Sequence, residues 1–413
     1  MTTSPPAPAA PGDLLAAPGR PAGSSATRSD ELHRKVREFA RRSLTSPTPE
    51  DADGFEALAL EIARFQAEHV PGFGRLVERR GSRLDRLATL PAVPVETFRM
   101  TRVAVHPTEY DAACFRTSGT TGSAAGAHPF RTLDTYRELT LLWGERALFS
   151  AWEGPKTVVA LAPIPSTPPT SSLGFMMQTF METFDGRALK QDARGVPFDV
   201  HSGERWIAST SDIDVSALRR AATIARARNE PLFVLATSFA LVALLDALEG
   251  DSLVTPSRTL VMQTGGFKGR SREIPADKLR AAVARAFRIG EDFVVGEYGM
   301  TELTSQLYEG TVPSAALSGP PGVYLEPPWL RVEPVDPTTL RPVPDGEVGI
   351  ARIVDLGNVD SAVAVLTQDL VRRKGPGIEL LGRRPGSVPR GCSLPFEGLI
   401  RTDPTRPIGS AAR

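Results

Sequence analysis

The chain has 413 residues, 41% hydrophobic and 23% charged, an ordinary globular composition with room for one large core or two. Its 48 basic and 48 acidic residues cancel, leaving no electrostatic footprint for nucleic acid or an anionic membrane surface. Two cysteines, Cys114 and Cys392, argue against a disulfide framework and fit a reducing cytosol.

Residues 1–28, rich in Pro, Ala, Gly and Ser, predict a disordered leader without the basic start and apolar core of a signal peptide. Helical periodicity covers 31–44 and 55–69, whereas two prolines make 90–99 extended. Residues 103–105 and 112–115 read as short strands leading to Thr117-Ser118-Gly119-Thr120-Thr121-Gly122. A helix is expected over 134–149. Strands at 157–161, 232–235, 259–263 and 293–295 then alternate with helices at 213–228, 239–248 and 276–287. This alternation predicts an α/β core over 29–312 with buried, largely parallel strands flanked by helices.

The most apolar run, 232–245, is shorter than the ~20 residues of a membrane span and reads as a buried strand turning into a core helix, so no transmembrane segment is expected. Prolines cluster between 313 and 344. Turns such as Pro344-Asp345-Gly346-Glu347 join strands at 330–332, 349–354 and 362–366, a β-rich subdomain over 313–382. Residues 383–413 form a short C-terminal segment that carries Cys392 and ends in a loose tail.

Four stretches carry chemistry. Thr117–Gly122 sets hydroxyls and backbone amides between glycines, as a surface turn or as a cradle for phosphate oxygens. In Gln263-Thr264-Gly265-Gly266-Phe267-Lys268-Gly269-Arg270 the glycines admit a base or phosphate, and Lys268 and Arg270 offset negative charge; neither Rossmann nor Walker spacing is present. Glu297-Tyr298-Gly299-Met300-Thr301-Glu302 follows a strand, where α/β proteins bind ligands. Tyr298 can stack on a flat base and Glu302 can hold Mg²⁺, while the plainer reading is a polar turn into a helix. In the last stretch Asp369 can accept from ribose hydroxyls and Arg383 can reach a phosphate, or both belong to a solvated hairpin. The histidines show no zinc-ligand spacing, and no Gly-x-Ser-x-Gly elbow offers a hydrolase triad.

Taken in order, Thr117–Gly122, Glu297–Glu302, Asp345-Gly346-Glu347-Val348-Gly349, Thr367-Gln368-Asp369 and Gly382-Arg383 resemble the adenylate-forming superfamily of acyl-CoA synthetases, peptide-synthetase adenylation domains and luciferases. Leu90-Pro91-Ala92-Val93-Pro94-Val95-Glu96-Thr97-Phe98, Gly265–Arg270 and Arg390-Gly391-Cys392-Ser393-Leu394 are similar to its LuxE-type acyl-protein synthetases. The resemblance spans about residues 31–397. It implies a large adenylate-forming N-terminal domain completed by the β-rich subdomain, with the mobile C-terminal domain truncated or absent. It also implies ATP- and Mg²⁺-dependent activation of a fatty or other carboxylic acid as acyl-AMP, capture of the acyl group on a cysteine, and delivery to a reductase or carrier protein in the cytoplasm.

Carried over residue by residue, the resemblance has Thr117, Ser118, Thr120 and Thr121, with Gly119 and Gly122 between them, hold the β- and γ-phosphates through backbone amides. Tyr298 with Gly265 and Gly266 frames adenine within the motif that Glu297 and Gly299 complete. Thr301 meets the α-phosphate or the acyl carboxylate, Glu302 binds Mg²⁺, Asp369 holds the ribose, and Cys392 is the acyl acceptor or, more plainly, a small buried residue in a C-terminal turn. Arg383, Arg384 and Arg390 lie near Cys392 in sequence and would favour its thiolate if near it in space. Cys114 reads as core. The family's Pro-Lys-Gly continuation is missing after Gly122; His128 is a partial substitute or, more plainly, a surface histidine. A Met/Phe cluster, Phe175, Met176, Met177, Phe180 and Met181, is either the acyl tunnel or plain core. A short-form acyl- or aryl-CoA ligase and a non-catalytic nucleotide-binding protein are the alternatives.

Overall fold

The runs at 157–161 and 232–237 carry apolar side chains toward both faces, and such strands are stable only when both faces are covered. In the computed structural model, which describes residues 24–117, 125–185, 205–209, 212–265 and 274–386, they lie side by side in a parallel ladder packed against helices.

Helices α1 (Ser24–Thr45), α2 (Asp51–His69) and α3 (Pro71–Arg80) come first, then strand β1 (Val93–Pro94), the helical turn α4 (Thr97–Met100) and a hairpin of β2 (Ala113–Arg116) and β3 (Ala127–Phe130). Next are α5 (Asp134–Gly144), prolonged by a π-helical turn to Phe149, β4 (Thr157–Leu161), α6 (Ser172–Phe184) and α7 (Val215–Ala227). These lead to β5 (Leu232–Thr237), α8 (Ser238–Ala247), β6 (Thr259–Thr264), α9 (Ala276–Phe287) and β7 (Val294–Tyr298). The remaining strands are β8 (Leu307–Glu309), β9 (Tyr324–Leu325), β10 (Leu330–Val335), β11 (Val348–Asp355), β12 (Ala364–Lys374) and β13 (Gly377–Arg383).

Local chemistry explains several boundaries. The Asp214 carboxylate accepts from the Ala217 amide at 2.8 Å, so α7 starts just after it. Ser171 caps α6 and Thr237 caps α8 in the same way. The 103–105 stretch forms no strand: Val105 hangs on one backbone bond, its N–H donating to the Asp360 carbonyl at 2.9 Å. Helix α1 begins at Ser24, inside the stretch expected as a leader, of which residues 1–23 lie outside the described residues. Arg28 there bonds Glu31 and Glu61 at 2.5 Å, and the Ser29 hydroxyl donates to Asp360.

β4, β5, β6 and β7 pair in parallel, as the alternating pattern requires. From β7 onward the pairing reverses: β8, β9, β13, β12, β11 and β10 add antiparallel neighbours to the same sheet, and β1 joins β12 in parallel. Among the described residues, the parallel strands β4 to β7 and the strands expected for the β-rich subdomain therefore share one sheet, while β2 and β3 form a separate hairpin. No helix among them is long and apolar enough to cross a membrane.

Candidate active site

The carboxyl ends of β6 and β7 lie where the sheet changes from parallel to antiparallel pairing, and a cleft of about 600 Å³ opens there. Strand register sets Thr264 opposite Glu297. The Thr264 hydroxyl donates to the Glu297 carboxylate, and burial pushes that carboxyl up to about 7. Gly265 turns the chain away with φ 75, a conformation that suits glycine, and its carbonyl accepts from the Ser238 hydroxyl at 2.6 Å.

On the opposite wall, Asp369 of β12 accepts the Tyr298 hydroxyl at 2.9 Å and pairs with Arg383 of β13 at 3.2 Å. Its own amide donates to Thr367 Oγ1 at 3.0 Å, within a stretch of β12 where the register with β11 shifts by a bulge around Gln368. Burial, with Asp369 next, raises the Tyr298 phenol well above its ordinary value, so it stays a donor.

Thr301 and Glu302 line the cleft on an irregular stretch between β7 and β8, a few per cent exposed or less. With no ladder to hold them, they depend on side chains from elsewhere. The Thr301 carbonyl accepts from His128 Nδ1 at 2.8 Å, and the Glu302 carbonyl from Asn358 Nδ2 at 2.9 Å. Asp355 accepts the Thr304 and Ser305 amides at 2.9 Å. Gly357 lets the loop between β11 and β12 approach this stretch, because a Cβ there would lie 2.8 Å from Thr304 Cβ.

The structure thus brings together Thr117, Gly265, Glu297, Tyr298, Gly299, Thr301, Glu302, Asp369 and Arg383, all of which line the cleft. Ser118, Gly119, Thr120, Thr121, Gly122, Gly266, Lys268, Arg390 and Cys392 lie outside the described residues. The Thr117 amide closes the neck of its loop, donating to the Gly126 carbonyl at 2.9 Å, while the Thr117 hydroxyl accepts the Gly126 amide at 2.7 Å. In this structure that amide is engaged at the neck, while Thr117 itself lines the cleft.

His128 is not a surface residue. It is 1% exposed on β3 beneath Phe98 and Phe130, with Nε2 accepting the Ser361 hydroxyl at 2.7 Å. Burial lowers its pKa to about 4, so it is uncharged near neutrality and does not replace the missing lysine. Cys114 is half-buried on β2, and burial raises its thiol pKa. In the Met/Phe cluster, Met176 lines a cavity of about 20 Å³ behind Glu297 and Gly299. Met177, Phe180 and Met181 are fully enclosed in the core.

Sequence reading missed Asp355, Asn358 and Ser361. The usable signal was polar and turn-forming chemistry, Asp355-Leu356-Gly357-Asn358, ending a strongly apolar strand.

Solved structures share this architecture. An open conformation of 2-hydroxyisobutyryl-CoA ligase in complex with 2-HIB-AMP and CoA matches with a TM-score of 0.53 and 13% identity, over 92% of this chain and 81% of that one. The same enzyme in the postadenylation state with R3-HIB-AMP matches with a TM-score of 0.53 and 14% identity, over 87% of this chain and 68% of that one. The fold is that of the adenylate-forming ligases. In sequence, the chain is similar to the long-chain-fatty-acid–luciferin-component ligase of Aliivibrio fischeri, at 29% identity over 84 residues. That match covers 18% of this chain and 22% of the relative's length. No family model matches the chain.

Proposed function

We propose that this chain joins a fatty acid to AMP at the expense of ATP and passes the acyl group to the thiol of Cys392, for delivery to an acceptor protein such as a reductase or carrier in the cytoplasm. The supporting observation is the convergence of Gly265, Tyr298, Thr301, Glu302, Asp369 and Arg383 on one cleft at the switch in strand pairing. The similarity to a long-chain-fatty-acid–luciferin-component ligase supports the choice of acid.

In the first step a carboxylate oxygen of the acid attacks the α-phosphorus of ATP. The bond from that phosphorus to the pyrophosphate oxygen breaks, leaving acyl-AMP and pyrophosphate. In the second step the Cys392 thiolate, formed by loss of the thiol proton, attacks the acyl carbon and AMP leaves. A thioester remains. Asp369, oriented by Tyr298 and Arg383, would accept from the ribose hydroxyls. The Thr301 hydroxyl would meet the α-phosphate or the acid. Cys114 is ill suited as acceptor, since burial keeps its thiol protonated.

Mg²⁺ carried by ATP usually takes one or two protein carboxylates, with phosphate and water filling its other positions. Glu302 at the cleft wall suits that role, and no group of three or more His, Cys, Asp or Glu placed to hold a metal occurs among the described residues. When bound, the ion would supply neutralisation of phosphate charge.

The test is intact mass of the whole chain after incubation with ATP, Mg²⁺ and a fatty-acid mixture, alongside acid-dependent ATP–pyrophosphate exchange. The parent should gain one acyl mass; Cys392→Ser should gain none yet still catalyse exchange. Silence in exchange across all chain lengths would sink the reading. A second reading is a CoA ligase of short form, favoured by the CoA held in the solved structure with this fold. Undiminished acyl-CoA formation by Cys392→Ser would select it.

A further inference from the structure

Thr301 and Glu302 stand between two strands with no ladder of their own, yet both of their carbonyls are held by buried side chains. One holder, His128, sits on the strand that leaves the phosphate-loop neck; the other, Asn358, sits on the loop joining β11 and β12. Ser361 of that same loop bonds the far side of the imidazole at 2.7 Å. The loop is itself fastened to the N-terminal helices. The Gln66 amide donates to the Asn358 and Val359 carbonyls at 2.7 and 2.9 Å, and Asp360 bonds His33 at 3.0 Å.

We propose that His128 is a positioning residue of the adenylation site: by bridging Ser361 to the Thr301 carbonyl, it sets the backbone from which Thr301 and Glu302 face the cleft. This inference rests on the adenylation reading. The bond network fixes the tautomer, because a carbonyl can only accept. Nδ1 therefore carries the proton and donates to Thr301, and Nε2 receives the Ser361 hydroxyl. The imidazole touches no reacting atom; it acts through the peptide that it holds. Fixing two successive carbonyls restricts the backbone rotations that aim the Thr301 hydroxyl and the Glu302 carboxylate.

The tautomer supplies the test. An asparagine amide nitrogen falls close to the place of Nδ1, whereas a glutamine amide nitrogen falls close to Nε2. His128→Asn should keep the donor to Thr301 and His128→Gln should lose it, though both remove one ring. Acid-dependent ATP–pyrophosphate exchange, ATP affinity with and without Mg²⁺, and thermal unfolding are measured for each.

His128→Asn is expected to stay within about threefold of the parent in kcat, and His128→Gln to fall by about 100-fold, the usual cost of a misplaced catalytic group. Magnesium-free ATP affinity should be unchanged in both, while the gain in affinity on adding Mg²⁺ is lost in His128→Gln alone. Parent-like kcat in His128→Gln would overturn the proposal. Equal losses in the two variants, tracking a lowered unfolding temperature, would also overturn it and assign the ring to packing. If the parent shows no exchange with any acid, the adenylation reading falls. The positioning role is then decided by the Mg²⁺-dependent ATP affinity of the two variants.

Discussion

The Tyr298 hydroxyl donates to Asp369 Oδ2 at 2.9 Å, tying the end of the last parallel strand to the antiparallel half of the sheet across the cleft floor. A buried hydrogen bond to a carboxylate contributes about 1.5–3 kcal/mol. Tyr298→Phe should therefore lower the unfolding free energy by about that amount in a denaturant titration and weaken ATP binding by about tenfold. Asp369→Asn should weaken ATP binding further, since it also removes the charge that pairs with Arg383 at 3.2 Å.

Glu297 offers a pH signature. Its carboxyl titrates at about 7 in the folded chain, against 4.5 for the ordinary group. A raised carboxyl pKa means that stability present below pH 4.5 is lost as pH rises through 7, about 3 kcal/mol across that window. Because His128 contributes an opposing slope over nearly the same range, the effect is read as a difference: the unfolding free energy of Glu297→Gln relative to the parent should rise by about 3 kcal/mol between pH 4.5 and 7. The same variant should hold ATP affinity level from pH 6 to 8, where the parent's affinity falls as the carboxylate becomes charged beside an anionic ligand.

His128 predicts the opposite slope. Its folded pKa of about 4 lies below the ordinary 6.5, so stability is full above 6.5 and lost as pH falls toward 4, again by about 3 kcal/mol. The parent's unfolding free energy should therefore fall by about 3 kcal/mol relative to that of His128→Asn as pH drops from 6.5 to 4. An unchanged slope would show that another group governs this window.

Gly357 is placed for contact. A Cβ there would lie 2.8 Å from Thr304 Cβ and 2.9 Å from Leu139 Cδ1, closer than side chains tolerate. Gly357→Ala should cost about 1–3 kcal/mol in unfolding free energy by overpacking. It should also slow exchange more than it weakens magnesium-free ATP binding, because the displaced stretch leads to Thr301 and Glu302.

Much of this was legible in the chain itself, for definite reasons. α9 was bounded correctly at both ends, and the strand at 157–161 likewise, because long periodicity and short apolar runs are local signals. Tyr298, Thr301, Glu302, Asp369 and Arg383 were legible as members of ordered motifs, and they meet at one cleft. His128 was not, since a histidine in a short strand carries no mark of its burial; its two partners lie 173 and 233 residues away. Asn358 was missed although Asp355-Leu356-Gly357-Asn358 marks a turn, since its partner, the Glu302 carbonyl, lies 56 residues away. The sharing of one sheet by core and subdomain depends on β8 and β9, strands of two or three residues that no periodicity could reveal.

That shared sheet bears on how ligands come and go. The Glu297–Tyr308 and Tyr298–Leu307 pairs bind the two halves directly beneath the cleft. A hinge that parted them would have to tear a buried backbone ladder, whose unmet N–H and C=O groups are expensive in a dry interior. The floor therefore behaves as a stiff plate. A rigid compound shaped to Tyr298, Asp369 and Gly265 would meet a surface that this plate holds fixed.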